Sequence, residues 1–450
     1  MTSGSRLVSG WPERAYWSAF ALWQARGERK LPFRDLEQIL EIQNRRVRRI
    51  VRHAYETVPH YREAMDDAGL RPGDFQTGAD LARLPLVTAR DLVRDPKGFR
   101  STRFERDAVE LHSSGTSGRA KPLPYDPAAL FIFLGVGRRQ REVLRHFIGR
   151  TLGYRELSVF RTGGVPAQME RFFQARSFVA ASLGITPSEA SVAEPFERLA
   201  ATINDFRPDV IKGYGSHLGA FFRWAHRRAV SLFRPRVVTY GADLMPDADR
   251  RLIEQEYGIP VLAYYQTAEI LRLAFQCERR AGFHIDVDLA AVRVIDSAGR
   301  TLGPGGRGEI VVSNLINRAT VLLNYKVGDV VTLGTATCPC GRTLPTLERI
   351  EGRADDLILA PGGYSIHPLA VLGVIYDRFP ELIQVQVVQE AIDLVRMRVV
   401  YGAATDWERV AAELGSLLRE TLPGIAVEVL RADSIEPGPS GKVRTVIRRF

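Results

Sequence analysis

The feature that most constrains the fold is an alternation of short apolar runs with helical segments in the middle of the chain. Apolar runs occupy residues 210–211, 237–240 and 261–265, and helical patterns that include Phe221 and Leu252 separate them. Strands that alternate with helices in this way predict βαβ units, in which successive strands run parallel within a sheet. We therefore predict an α/β fold with parallel sheets in this part of the chain.

Two further patterns divide the rest of the chain. Between residues 285 and 333, short strands alternate with Gly-Pro-Gly-Gly and Asn-rich turns, which predicts a β-rich subregion. After residue 353, strands and helices in the order β-α-β-β-α-β predict a small α+β domain, whose second helix opens with a capping box at residues 405–408. A chain of 450 residues exceeds the size at which single cores stop growing. We expect an N-terminal domain over residues 1–353 and a C-terminal domain over residues 354–450.

The chain is basic, with a formal charge of +10 and a pI near 9.7. Basic stripes attract nucleic-acid phosphates, so the charge alone would admit such a partner. However, only six of the 62 Lys and Arg residues are lysine, and the arginines are dispersed without a nucleic-acid motif. We therefore expect no nucleic-acid partner. Since neither a secretory signal nor an apolar run of about 18 residues occurs, we expect a cytoplasmic protein with no membrane partner.

A segment rich in glycine and serine, residues 113–122 (SSGTSGRAKP), is the sharpest local motif. Glycines let the backbone approach an anion, hydroxyls add donors, and Lys121 adds a positive charge. The spacing is not that of a Walker A loop. Taken alone, the segment is compatible with either a polyphosphate-binding loop or a flexible surface loop.

This segment resembles the phosphate loop of the acyl-adenylate-forming superfamily. Residues 54–61 (AYETVPHY) and 84–88 (LPLVT) are similar to its phenylacetate–coenzyme A ligase branch in particular. Further superfamily motifs follow in the same order, namely YGAD at 240–243, YQTAE at 265–269, YKVGD at 325–329, GRADD at 352–356 and SGK at 440–442. Because these motifs span nearly the whole chain, the resemblance implies a large adenylate-forming domain followed by a small mobile C-terminal domain.

The resemblance implies an AMP-forming ligase. Such an enzyme uses ATP and Mg²⁺ to convert a carboxylic acid into an acyl-adenylate, releases pyrophosphate, and transfers the acyl group to a thiol such as that of coenzyme A. The positions that match the superfamily motifs imply ATP contacts at Ser114, Gly115, Thr116, Ser117, Gly118, Lys121, Gly241, Ala242, Asp243, Tyr265, Gln266, Asp329, Arg353 and Lys442.

Some of these residues have individual roles that the resemblance implies. Glu269 would bind magnesium through hard oxygen, and Thr116 would hold phosphate in the catalytic centre. Asp329, an acceptor-only carboxylate, would receive hydrogen bonds from the ribose hydroxyls. Lys442 would stabilise the charge that develops as the acid attacks the α-phosphate, and Asp355 would be the hinge that moves it. In isolation, each charged residue could instead be a solvated surface group.

The implied acid pocket includes Tyr214, His217 and Met245. This mixed aromatic and polar set fits an aryl acid better than a long fatty acid. His217 could either orient the substrate carboxylate or satisfy a helix terminus. Gln266 and Ala268 depart from the superfamily pattern Tyr-Gly-x-Thr/Ser-Glu, since one enlarges a side chain beside the adenylate and the other removes a hydroxyl that commonly bonds phosphate. We expect these departures to affect the acid pocket or the rate.

All three cysteines of the chain belong to one spacing pattern, Cys277-x6-His284 with Cys338-x-Cys340. Three sulfurs and one imidazole make a common structural zinc set. His284 is the weaker ligand, because a lone histidine is more often an ordinary core or surface residue. The segment CPCG resembles a metal knuckle, and some members of the ligase branch carry zinc at the corresponding place. We therefore predict a structural zinc held by these four residues.

Several alternatives stay open at this point. The acyl-adenylate could be captured by an amine or a carrier-protein thiol, and no residue identifies the acid or the acceptor. A basic zinc-containing nucleic-acid-binding protein would instead predict binding that weakens steeply with salt and no ATP–pyrophosphate exchange. Gln266 and Ala268 are also compatible with a noncatalytic adenylate-binding protein. The resemblance is compatible with a homodimer, although the sequence does not define the oligomer.

Overall fold

A computed structural model describes residues 9–105, 107–112, 122–179, 184–354, 357–362, 365–366, 368–379, 382–401, 406–436 and 446–450. The helices in these ranges are α1 (Trp11–Gln24), α2 (Leu36–Thr57), α3 (Pro59–Asp67), α4 (Ala89–Arg94), α5 (Pro127–Ile148), α6 (Val165–Arg176), α7 (Phe196–Phe206), α8 (Gly215–Arg227), α9 (Asp247–Gln255), α10 (Pro368–Arg378) and α11 (Trp407–Thr421). Short 3₁₀ helices cover Leu31–Phe33, Pro72–Asp74, Ala79–Arg83 and Thr102–Phe104. The strands are β1 (Val109–His112), β2 (Pro122–Tyr125), β3 (Tyr154–Phe160), β4 (Ile185–Ser191), β5 (Val210–Tyr214), β6 (Val237–Gly241), β7 (Val261–Tyr265), β8 (Ala274–Phe275), β9 (Phe283–Ile285), β10 (Ala290–Ile295), β11 (Arg307–Asn314), β12 (Tyr325–Leu333), β13 (Thr346–Arg353), β14 (Ile358–Leu359), β15 (Ser365–Ile366), β16 (Leu382–Ala391), β17 (Leu394–Tyr401), β18 (Ala426–Arg431) and β19 (Val446–Arg448). Among these described helices, none has both the length and the apolar character needed to cross a membrane.

Eleven strands within the described ranges form one sheet, in the order β10-β11-β12-β13-β9-β8-β7-β6-β5-β3-β4. The strands from β4 to β7 in this order are parallel. From β7 to β10 each neighbouring pair is antiparallel. The predicted α/β class and the β-rich subregion are confirmed, and the β-rich strands continue the parallel sheet.

The parallel strands are apolar because helices cover both of their faces. Nearly every residue of β5, β6 and β7 is buried, as expected for central parallel strands. Helix α8 packs on β5 and β6 through Leu218, Phe221, Phe222 and Ala225, whose spacing places them on one face. At the other end of the sheet, α2 packs Val47, Ile50 and Val51 into the core of the antiparallel strands. The sheet therefore lies between helical layers.

The C-terminal part of the chain forms its own sheet and core. Its strands have the order β18-β17-β16-β19, and apolar residues of α10 and α11 pack on them in a separate cluster. The predicted small α+β domain is confirmed in class, whereas the boundary at 353/354 stays a prediction. Two details differ from the sequence analysis. The side chain of Asp406 caps α11 by accepting from the Arg409 amide, and β19 adds a strand parallel to β16.

Candidate active site

The carboxyl ends of three neighbouring parallel strands meet at one edge of the large sheet. Tyr214 ends β5, Gly241 ends β6 and Tyr265 ends β7. The register pairs Tyr214 with Gly241, and Gly241 with Tyr264. Ligands of open α/β sheets bind outside the carboxyl ends of the strands. Because residues predicted to contact ATP or the acid end all three strands, this edge is the candidate nucleotide site.

Two motif segments lie side by side at this edge, and each has a tyrosine four residues before its carboxylate. The phenol of Tyr265 donates to Asp329 Oδ2 at 2.5 Å. The phenol of Tyr325 donates to Glu269 Oε1 at 3.1 Å. Each tyrosine thus bonds the carboxylate of the other segment. The structure brings together the two carboxylates to which the sequence assigns ribose and magnesium.

Arg353 joins the same group from the neighbouring strand. The register between β12 and β13 pairs Asp329 with Arg353, and Arg353 Nη1 lies 3.6 Å from Asp329 Oδ1. The same nitrogen donates to the Val327 carbonyl at 3.0 Å. Gly328 has φ +86°, a conformation that favours glycine, and a Cβ there would lie 3.6 Å from the guanidinium carbon. The turn at Gly328 therefore lets Arg353 lie beside Asp329.

The two phenols are donors throughout the neutral pH range. Burial raises the pKa of Tyr265 well above its ordinary value, and the negative charge of Asp329 raises it further. Burial, followed by the charge of Glu269, likewise raises the pKa of Tyr325. A protonated phenol beside a carboxylate can only donate, so the direction of both hydrogen bonds is determined.

Two residues that the sequence analysis did not single out hold the segment that carries Glu269. The phenol of Tyr125 donates to the Ala268 carbonyl at 2.7 Å. The side-chain amide of Asn314 donates to the Glu269 carbonyl at 3.0 Å. Tyr125 ends β2, directly after the predicted phosphate loop, which is the one sequence signal that could have indicated it. The asparagine has no comparable signal, because its contact depends on the sheet register.

Asp243 is engaged by the N-terminus of α8. Its carboxylate accepts from the Gly215 amide at 2.6 Å and from the Ser216 hydroxyl at 2.5 Å. Acidic groups are favourable at helix N-termini, where backbone amides lack partners. Ala242 has φ 68°, which marks the turn between β6 and this carboxylate. The predicted ATP contact of Asp243 stays a prediction, while the structure gives the residue a capping contact.

The residues of the predicted acid pocket lie around the start of α8. The ring of Tyr214 meets that of Phe160 edge to face at 5.1 Å, and the ring of His217 lies 5.3 Å from that of Phe196. Met245 is buried in the same apolar cluster that Phe196 contacts. A Cβ at Gly215 would lie 2.8 Å from the Met245 amide nitrogen, so only glycine allows this approach.

His217 is a neutral imidazole at pH 7, because burial lowers its pKa to about 4. Its Nε2 is buried and has no hydrogen-bond partner among the described residues. Since Asp243 already caps α8, the geometry does not require His217 for that purpose. The ring instead offers a polar atom within an apolar cluster.

A second cluster contains all three cysteines and one histidine. One donor atom from each of Cys277, His284, Cys338 and Cys340 lies within 4.8 Å of the others. The Sγ atoms of Cys277 and Cys338 are 3.7 Å apart, and Cys340 Sγ lies 3.4 Å from His284 Nε2. Zinc–sulfur bonds of about 2.3 Å in a tetrahedron place two sulfurs about 3.8 Å apart. The donor set and its spacing therefore fit one tetrahedral zinc ion.

The remaining residues of the superfamily-like motifs are placed as follows. Gln266 follows β7, and its Oε1 would lie 3.7 Å from a Cβ at Gly241. Lys326, the neighbour of Tyr325, pairs with Glu309 at 2.9 Å. The residues that lie outside the described part of the chain are Ser114, Gly115, Thr116, Ser117, Gly118, Lys121, Asp355 and Lys442.

Comparison with known proteins places this site in a family. No protein-family model matches the chain. The phenylacetate-coenzyme A ligase of Thermus thermophilus is 30% identical over 355 residues, which cover 77% of this chain and 77% of that protein. The phenylacetate-coenzyme A ligase of Escherichia coli is 28% identical, with coverage of 73% and 74%.

A solved structure shows the same fold. The 2-hydroxyisobutyryl-CoA ligase in its postadenylation state superposes with a TM-score of 0.73 at 19% identity, covering 93% of this chain and 91% of that chain. At this identity the likeness concerns the fold alone, and the sequence relatives establish the relationship. The chain belongs to the phenylacetate–coenzyme A ligase family of AMP-forming, adenylate-forming ligases.

Proposed function

We propose that this ligase activates a small aryl acid, such as phenylacetic acid, and transfers it to coenzyme A. An oxygen of the substrate carboxylate attacks the α-phosphorus of ATP, the bond between the α- and β-phosphates breaks, and pyrophosphate leaves. The thiolate sulfur of coenzyme A then attacks the acyl carbon, and AMP leaves with its phosphate oxygen. The observation that carries this proposal is the convergence of Glu269, Asp329 and Arg353 beside the ends of β6 and β7.

The nucleotide has a direct chemical rationale at this edge. Asp329 accepts the ribose hydroxyls, and Arg353 beside it supplies a positive charge towards the phosphates. Tyr265 and Gly241 border the adenine at the ends of their strands. Glu269 offers carboxylate oxygen to magnesium, which when bound neutralises phosphate charge. Residues 114–118 and Lys121 complete the phosphate contacts in this proposal.

The acid lies against the first turn of α8. Tyr214 and Met245 supply apolar walls, and the neutral His217 supplies one polar atom. A pocket of aromatic walls with few polar groups favours a flat, uncharged ring next to the carboxylate. An aryl acid therefore fits better than a long chain or a diacid.

Lys442 is proposed as the residue that stabilises the charge developing during adenylation, with Asp355 as the hinge that brings it there. Replacing Lys442 with alanine should lower pyrophosphate exchange by at least about a hundredfold, the scale on which losing one electrostatic stabiliser acts. Thioester formation from a preformed acyl-adenylate should be retained. Lys97→Ala, at an exposed lysine, is the control and should exchange normally. Near-normal exchange by Lys442→Ala would contradict the assignment.

We also propose that Cys277, His284, Cys338 and Cys340 hold a structural zinc ion. Their donor atoms fit a tetrahedron, and four protein ligands leave no position for substrate. The ion would therefore stabilise the fold and take no part in the reaction.

The proposed reaction is tested by measuring ATP–pyrophosphate exchange over a panel of aryl, heteroaryl and short aliphatic acids. Acids that support exchange are then incubated with ATP and either coenzyme A or candidate amines, and the products are identified by mass spectrometry. We expect exchange with aryl acids and a thioester product. Exchange followed only by amide formation would overturn the proposed acceptor, and no exchange with any acid would overturn the adenylation itself.

A further inference from the structure

The crossed hydrogen bonds between the two motif segments form a closed ring. Residues 265–269 and 325–329 each supply one tyrosine and one carboxylate. The ring runs from Tyr265 along its backbone to Glu269, across to Tyr325, along that backbone to Asp329, and back to Tyr265. Two short covalent segments are therefore joined at both ends by hydrogen bonds. Breaking either bond leaves the segments attached at the other end.

We propose that Tyr265 and Tyr325 are positioning residues that hold the ribose-binding and metal-binding carboxylates in register with each other. The inference rests on the proposed roles of Asp329 and Glu269. Tyr325 orients Glu269 for the cation, and Tyr265 orients Asp329 for the ribose. Neither phenol needs to touch the reacting atoms for this role.

Glu269 shows how the orientation works. Its Oε1 accepts from Tyr325, and its backbone carbonyl accepts from Asn314, so both ends of the residue are held. Among the described residues, none donates to Oε2 in these contacts, which leaves that oxygen for a cation. A carboxylate that is free to rotate would lose entropy when it binds metal, whereas Tyr325 has already removed that freedom.

Asp329 is held from two sides. Tyr265 donates to Oδ2, and Arg353 approaches Oδ1 at 3.6 Å. In the proposed function this carboxylate also accepts hydrogen bonds from the ribose hydroxyls. The phenol therefore orients the plane of the carboxylate for that contact.

Both tyrosines are suited to a clean substitution. Tyr325 is 1% exposed and Tyr265 is 7% exposed, so each ring is held by packing as well as by its hydroxyl. Replacing either with phenylalanine removes the donor and keeps the ring. Tyr154 is also buried, but it lies at the start of β3, whereas the candidate site lies at the carboxyl ends of the strands. The Tyr154→Phe variant therefore supplies a matched control.

The test uses equilibrium binding to the full chain, so that it does not depend on knowing the acid. Binding of AMP without metal, measured calorimetrically, reports on the ribose contact. Binding of Mn²⁺ to the complex with a non-hydrolysable ATP analogue, measured by electron paramagnetic resonance, reports on the metal contact. Tyr325→Phe should raise the Kd of Mn²⁺ about tenfold, which is the scale expected for losing one hydrogen bond to a charged group. The Kd of AMP should stay within about twofold of that of the unsubstituted protein.

Tyr265→Phe should show the opposite selectivity, raising the Kd of AMP about tenfold, and Tyr154→Phe should change neither constant. In the double variant, each Kd should rise by more than the product of the two single effects, because no hydrogen bond then joins the segments. Equal changes in both constants would indicate mere structural damage and overturn the inference, as would unchanged constants. Failure of the proposed function appears separately, as absence of pyrophosphate exchange in the unsubstituted protein.

Discussion

At the scale of single residues, burial determines which groups can carry charge at the start of α8. His217 loses water on folding, and this desolvation lowers its pKa to about 4. An unfolded histidine has a pKa near 6.5, so between these values the unfolded chain binds a proton that the folded chain excludes. Acidification through this window therefore favours unfolding. Burial of the neutral His217 ring therefore lowers the free energy of unfolding in mild acid.

We expect the His217→Asn variant to lose less stability than the unsubstituted protein as the pH falls from 6.5 to 4. The part of the loss that comes from His217 is absent above pH 6.5, grows as the pH falls towards 4, and disappears when the histidine is removed. Urea unfolding at a series of pH values measures the difference. His226→Asn, at an exposed histidine of the same helix, should follow the unsubstituted protein. Identical pH profiles for His217→Asn and the unsubstituted protein would refute the assignment.

At the scale of secondary-structure elements, the four metal-binding candidates join parts that are distant in sequence. Cys277 follows β8 and His284 lies on β9, whereas Cys338 and Cys340 lie in the connection between β12 and β13. The strands β9 and β13 are neighbours that pair over only Thr346 and Leu347. An ion at this point would therefore reinforce a short pairing in the middle of the sheet.

Protein purified without chelator should contain about one zinc ion per chain, because four protein donors complete a structural site. The Cys338→Ser/Cys340→Ser variant should lose the ion and unfold at a lower temperature, since binding free energy of such sites contributes to folding. Metal analysis and thermal unfolding measure both effects. The control is Thr335→Ser, an exposed substitution in the same connection. A metal-free protein with normal stability would exclude a structural zinc ion.

The strands differ in how well the sequence predicts them. Strands β5, β6 and β7 were predictable because burial on both faces requires continuous apolar runs. Strand β4, at the sheet edge, has only one buried residue, and its sequence ITPSEAS has no apolar pattern. The cysteine cluster was predictable because these residues are rare in the chain. The crossed pairing of Tyr265 with Asp329 was not, because it joins β7 to β12, two strands that are distant in sequence and are not neighbours in the sheet.

At the scale of the whole molecule, a polar contact joins the C-terminal part to the large sheet's helices. Arg223 on α8 pairs with Asp249 on α9 at 2.8 Å, and its guanidinium lies 4.0 Å from the ring centre of Tyr376 on α10. It also donates to the Ile383 carbonyl at 3.4 Å. Burial raises the pKa of Asp249, while the charge of Arg223 opposes this effect. Arg223 thus contacts both a helix that packs on the large sheet and the C-terminal part.

Replacing Arg223 with methionine should loosen this contact. It leaves the buried Asp249 without its partner, a change that typically costs about 3–5 kcal/mol. Hydrogen exchange should accelerate in α10 and β16, and a second change, Asp249→Asn, should reverse much of the effect by removing the uncompensated charge. Arg228→Met, at an exposed arginine after the same helix, is the control. Unaltered exchange in α10 and β16 would show that the contact does not hold the C-terminal part.

The position of Arg353 in the chain connects the candidate site to the C-terminal part. It is the last residue of β13, and the chain leaves the large sheet there, beside the carboxylate of Asp329. Under the proposed function, a nucleotide bound beside Arg353 would act at the point where the C-terminal part is attached. Thermodynamic linkage makes this influence mutual. If a bound nucleotide changed the ratio of two orientations of the C-terminal part by some factor, those orientations would have to differ in nucleotide affinity by the same factor. Measurements of nucleotide affinity would then report on movement of that part.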